Sequence, residues 1–121
     1  MAAIKAYTDL EQSRKLAEIL PLESADMWYQ HIGFSFKDGS KKLIYLPMVV
    51  RDNESDKDVP CWSLAALLNI IPYHSSHRTY SGWRCDSYDK EGELHMFGEP
   101  SDNPVDACYE TILELHERNL L

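Results

Sequence analysis

The sequence predicts an α+β fold: a four-stranded, mostly antiparallel sheet of two hairpins with three helices on one face, in the order α-β-β-α-β-β-α. Three observations predict it. Residues 59–72, VPCWSLAALLNIIP, are the most apolar run of the chain, and Leu64, Leu67, Leu68 and Ile71 recur there at the i, i+3, i+4, i+7 spacing of a helix. Residues 27–50 and 80–97 each read as two strands joined by a turn. The C-terminal stretch carries helix-start signals at Asn103, Pro104 and Asp106.

In chain order, residues 7–20 predict the first helix, with Thr8 as N-cap, Glu11 completing a capping box and Pro21 as the stop. Leu10, Ser13, Leu16, Ala17 and Leu20 share one side, while Glu11 with Lys15 and Arg14 with Glu18 make i, i+4 pairs on the other. Residues 27–36 read as a half-buried strand, Trp28, Ile32, Phe34 and Phe36 pointing one way and Met27, Tyr29, His31 and Ser35 the other. Asp38-Gly39 supplies a tight turn, and residues 43–50 return as the partner strand, with Pro47 at an edge or bulge because it cannot donate to a ladder. A polar loop at 51–58 leads to the apolar helix, capped by Ser63 and ended by Pro72. After a second polar loop at 73–79, a third strand at 80–88 carries Trp83 and Cys85 on one face and Arg84 on the other, and Asp89-Lys90-Glu91-Gly92 turns it into a fourth at 93–97. On the closing helix, Val105, Cys108, Tyr109, Ile112, Leu113, Leu115 and Leu120 form a broad apolar face, and Asp106, Glu110, Glu114 and Glu117 a narrow acidic stripe.

A length of 121 residues with 44% hydrophobic and 26% charged residues suits one globular domain, residues 1–121, able to bury a core without metal or disulfide help. The first fifteen residues hold no apolar leader and no run is long enough to span a membrane, so a cytoplasmic protein is expected, with no membrane partner. Cys61, Cys85 and Cys108 are odd in number and far apart, which signals neither a disulfide framework nor a metal knuckle. The net charge is −8, and residues 99–121 set six carboxylates against Arg118 alone. That field repels phosphate backbones and disfavours direct nucleic-acid binding.

No nucleotide-binding or hydrolytic signature occurs. His74 and His77 have a His-x-x-His spacing but fall in a loop without a third ligand, so no metal and no cofactor is expected. Cys61, at the mouth of the apolar helix, is the one thiol placed for activation by a helix N-terminus, although a buried structural cysteine is the commoner state. His116 falls on the apolar face of the last helix, where histidines are usually hydrogen-bonded and structural or half exposed at the helix end, and Glu99, Asp102 and Asp106 read as loop and capping carboxylates. Arg78, Tyr80, Arg84 and Tyr88 put two arginines among aromatics on one hairpin, a combination suited to stacking on bases or closing around an anion, although aromatics facing the core with arginines capping carboxylates is the commoner arrangement. The acidic stripe Asp106, Glu110, Glu114 and Glu117 is a solvated face or a dock for a basic partner.

The segments VPCWSLAALLNIIP, GWRCDSYD and NPVDACYETILELHERNLL, together with the opening YTDLEQSRKLAEILPLESADMWY, resemble a group of short uncharacterised proteins encoded by prophages and mobile elements of gut bacteria. Residues 38–58 look specific to this member. The group has no assigned activity, so the resemblance implies context alone: a small accessory protein of a mobile element, acting inside the bacterial cell. The expected function is a non-catalytic protein-interaction module that recognises a host or element-encoded protein, with a homodimer as a further form. The alternatives are a small-ligand or nucleotide-sequestering protein using Arg78 and Arg84, and a thiol-dependent enzyme using Cys61.

Overall fold

The computed structural model describes residues 5–52 and 54–121. Residues 1–4, part of the segment expected to hold no leader, and Asn53 of the expected 51–58 loop lie outside them. The described chain is α+β, with three α-helices and two three-stranded antiparallel sheets in place of the expected single four-stranded one. The described residues divide into two compact units, one within 9–62 and the other of residues 5–8 with 63–121. No described helix is long and apolar enough to cross a membrane.

The unit of residues 9–62 begins with α1 (Leu10–Ile19), whose capping box is made by Asp9 and Gln12, one residue beyond the expected Thr8 and Glu11. Tyr7 is held in an extended bridge with Ser63 and Thr8 is wholly buried, so the chain turns helical only at Asp9. Ser13, Leu16 and Leu20 form the buried side, as the spacing required. A one-turn 3₁₀ helix (Leu22–Ser24) follows, and Ser24 Oγ accepts the buried Trp62 indole N–H at 3.0 Å. Strands β1 (Met27–Ser35), β2 (Lys41–Met48) and β3 (Val59–Cys61) form a sheet of order β2-β1-β3. Gly39, at φ 88°, makes the hairpin turn.

Two expectations fail in this unit. Residues 59–61 are a strand, pairing with Met27–Tyr29 of β1, so the apolar run splits at Trp62 into a strand and a short helix. Its apolarity reflects burial in both, which periodicity alone does not separate. Nor does burial in β1 follow its two faces: Met27, Tyr29 and Gln30 are buried, whereas Phe34 and Phe36 are exposed. Because β3 covers only the first three residues of β1, burial follows distance along the strand more than side-chain parity.

In the other unit, α2 (Leu64–Ile70) is capped by Ser63 as expected, its hydroxyl accepting the Ala66 N–H at 3.2 Å. The expected loop at 73–79 is strand β4 (His74–Thr79), which pairs through a turn at Tyr80 and Ser81 with β5 (Gly82–Tyr88), followed by β6 (Leu94–Met96). The closing helix α3 (Pro104–Glu117) packs on β5 and α2, burying Val105, Ala107, Cys108, Thr111, Ile112 and Leu115. Asn103 caps its start, and Asn119, at φ 57°, ends it in a left-handed turn with Leu120 N–H bonded to the Leu115 carbonyl at 2.9 Å.

Gly98 is buried so close to β5 that a Cβ there would stand 2.2 Å from the Cys85 carbonyl oxygen. Gly98→Ala therefore destabilises by about 3 kcal/mol, because the obstacle is backbone and cannot rotate aside. Urea unfolding of the variant, read by tryptophan fluorescence, measures this.

Candidate functional site

Arg78, Tyr80, Arg84 and Tyr88 do not converge. Arg78 stands opposite Trp83 and Arg84 opposite His77, so strand alternation puts the two arginines on opposite faces of the sheet. Tyr80 is fully exposed in the turn. Tyr88 lies roughly 13 Å along β5 from Arg84, lining a cleft of about 210 Å³ with Pro72, Tyr73, His95 and Leu120.

Arg84 is engaged by a carboxylate. Its Nη2 and Nε donate to the two Asp86 oxygens at 2.8 and 3.3 Å, and its guanidinium carbon lies 4.9 Å from the Phe97 ring centroid. The Asp86 side chain is 2% exposed and also accepts the Gly98 N–H at 2.9 Å. Burial pushes this carboxyl up, but Arg84, the Gly98 amide and, last, His77 pull it down further, so it titrates below the ordinary 3.8. An arginine committed in this way is not available to a ligand anion.

Ser75 and His77 share that face, with His77 Nδ1 at 3.3 Å from Ser75 Oγ and Nε2 at 3.9 Å from Asp86. The series does not make a nucleophile relay, since 3.9 Å is beyond hydrogen-bond reach and Asp86 is instead engaged by Arg84 and the Gly98 amide. His74 and His77, three apart on a strand, project to opposite faces, and His74 Nδ1 bonds the Ile71 carbonyl at 2.9 Å. Among the described residues no group of three or more His, Cys, Asp and Glu is placed to hold a metal ion. Cys61 is wholly buried on β3, not at a helix N-terminus, which removes the physical basis for its activation. Cys85 and Cys108 are equally buried, and their mutual hydrogen bond together with desolvation holds the Cys108 thiol far above its usual range. His116 is exposed in the last turn of α3, not set into its apolar face.

The acidic stripe divides by pairing. Asp106 is bonded to Lys5 at 2.7 Å and to the Asn103 amide at 2.8 Å, and Glu114 accepts Arg118 Nε at 3.0 Å. Glu117 is exposed at the helix end. Glu110 and Glu114 instead line a groove of about 350 Å³ together with Glu99, Met96, Phe97 and Pro100. The Glu99 and Glu110 side chains have neither ion pair nor hydrogen bond among the described residues.

A further surface lies on the β1–β2 hairpin, where the sequence offered no site. Six of the thirteen large apolar residues exposed among the described residues fall between positions 34 and 50, which makes this the densest such region. Leu43, Val50 and Val49 are 64, 67 and 74% exposed, and Phe34, Phe36 and Leu46 complete the set. Register places Phe34, Ile32, Ile44 and Leu46 on one face, while Leu43 lies over Gly33 on the other. Lys37, Lys41 and Lys42 stand beside them, unpaired among the described residues. One signal for this was present in the sequence: Leu43-Ile44-Tyr45-Leu46 is continuously apolar, not alternating, so both strand faces carry apolar groups. For the Asp86 cluster the signal was Arg84-x-Asp86, opposite charges two apart on a strand and hence on one face.

No family model, curated protein or solved structure matches the chain.

Two outcomes follow from the buried groups. Because the Asp86 carboxyl titrates below its unfolded value, its stabilising contribution is complete above the ordinary 3.8 and is lost as pH falls through the folded pKa. Asp86→Asn removes this linkage: in urea titrations from about pH 7 to about pH 2.5 its stability starts lower than that of the parent but declines less steeply below pH 4. The thiols of Cys61, Cys85 and Cys108 are all buried, so a chromogenic disulfide reagent labels none of them in the native protein and all three after unfolding in guanidinium.

Proposed function

We propose that the protein is a non-catalytic protein-interaction module whose docking element is the β1–β2 hairpin, serving as a small accessory protein in the mobile-element context its sequence resembles. The observation that carries this reading is the concentration of exposed apolar side chains on one hairpin. A soluble chain seldom leaves so many neighbouring apolar groups in water unless they are covered in use. Catalysis draws no support from the site, since the thiols are buried and Asp86 is engaged by Arg84 and the Gly98 amide, with His77 beyond hydrogen-bond reach. Nucleotide capture draws none either, with Arg84 neutralised and Arg78 on the opposite face. Three lysines on the hairpin set against a net charge of −8, with aliphatic Leu43, Leu46, Val49 and Val50 around them, suit a protein surface better than a phosphate backbone.

The test is a photo-crosslinking amino acid at Leu43, with a second at Glu91 in an exposed turn as control. Crosslinks to protein are expected from position 43 and not from 91. Leu43→Ser leaves stability within about 0.5 kcal/mol, the side chain being exposed, and weakens association by about tenfold, as loss of an interface anchor does. Crosslinks to nucleic acid, or none at position 43, overturn the reading.

A further inference from the structure

The surface that best complements the hairpin is on the chain itself. The hairpin offers Phe34, Phe36 and Leu43 beside Lys37, Lys41 and Lys42. The groove along α3 offers Met96, Phe97 and Pro100 beside Glu99, Glu110 and Glu114. Each is an exposed apolar strip flanked by charge of predominantly one sign, and the signs are opposite: Arg118, which also lines the groove, is held by Glu114, and Asp38 in the hairpin turn is bonded to Ser40. The match extends to what is unsatisfied: all three lysines, and Glu99 and Glu110, have no partner among the described residues, whereas Lys5, Arg51, Arg84 and Arg118 are already paired. Phe97 is 62% exposed although Arg84 lies against its ring, so its remaining surface is open to a second group.

We infer that the hairpin of one chain docks in the α3 groove of a second copy, apolar side chains against Met96, Phe97 and Pro100 and lysines against Glu99 and Glu110. This deepens the reading of the hairpin as a docking element by naming its partner. The contact is heterologous, because the two surfaces differ. Two chains that exchange hairpins close it as a dimer, and chains that do not exchange extend it into a ring or filament. Desolvated beside apolar groups, the opposite charges set register and encounter rate and weaken with salt.

Sedimentation velocity on the full purified chain tests this. The parent protein associates at about 100 μM, and the association constant falls by about tenfold or more between low salt and about 0.5 M salt, where screening is strong. Lys41→Glu with Lys42→Glu gives a monomer, and so does Glu99→Lys with Glu110→Lys. Mixing the two variants restores association and stops it at a one-to-one dimer, since one chain keeps an intact groove and the other an intact hairpin. A parent chain that is monomeric at that concentration overturns the inference. So does association that survives either charge reversal, or a mixture that stays monomeric, the behaviour of an interface made from the same patch twice. All four substituted residues are surface groups without partners, circular dichroism checks the variants' fold, and the salt titration of the parent needs no variant. If the purified chain is monomeric while position 43 still crosslinks to another protein, self-docking is lost and the interaction reading stands.

Discussion

A buried carboxylate cannot remain charged without partners, and each unit of this protein is tied together around one. In the unit of residues 9–62, Asp58, with a side chain 1% exposed, accepts the His31 amide at 2.9 Å, the Ser55 amide at 3.1 Å and Arg51 Nε at 3.0 Å. In the other, Asp86 does the same with Arg84 and the Gly98 amide. Burial pushes both carboxyls up, and the hydrogen bonds pull both below their ordinary value by a larger amount. The partners span the sequence: Asp58 fastens the loop before β3 to the middle of β1, and Asp86 fastens the segment after β6 to β5. Each clasp closes a loop whose backbone would otherwise be free, and no buried side-chain nitrogen or oxygen among the described residues lacks a partner.

These clasps decide which charges remain for function. Arg51 is held by Asp58 and lies 3.8 Å from the Trp28 ring centroid, Arg84 is held by Asp86, and Arg14 lies over Tyr45 at 5.3 Å. Guanidinium is the group best suited to such planar, partly desolvated pairs. Lysine, with a compact and strongly hydrated head, is left to the hairpin. Among the charges left outside these pairs are the hairpin lysines, which stand beside apolar side chains, and Arg78 on β4.

The parts of the fold legible in the sequence are those fixed by local chemistry. Asn103-Pro104 set the start of α3, Ser63 set the start of α2, and Asp38-Gly39 set the first hairpin, because caps and turns are satisfied by residues a few positions away. What was hidden depends on distant partners. Residues 74–79 read as a polar loop because HSSHRT has no apolar alternation, yet they form a strand once β5 supplies the ladder. Val59-Pro60-Cys61, ahead of the helix cap at Ser63, give no strand signal because burial on both faces erases the period of two. The arginine and aromatic positions were visible, as was the commoner arrangement of arginines capping carboxylates, but which arginine is capped, Arg84 by Asp86, is set by the folded strand.

The hairpin's open edge bears on how it makes contact. Phe36 N–H bonds the Ser40 carbonyl at 2.9 Å, which fixes the ladder so that even-numbered residues of β2 face β1 and odd-numbered ones face outward. Pro47 therefore sits where its missing donor weakens nothing inside the sheet and leaves a gap on the outer edge. Lysines at 41 and 42 flank the other end of the strand. A proline and paired lysines on an edge are how natural sheets discourage a further strand from adding. An edge guarded in this way, bearing side chains left open to water on both faces, is suited to contact through those side chains and not through its backbone. That is the geometry of a hairpin seated in a groove, not of one sheet extended by another.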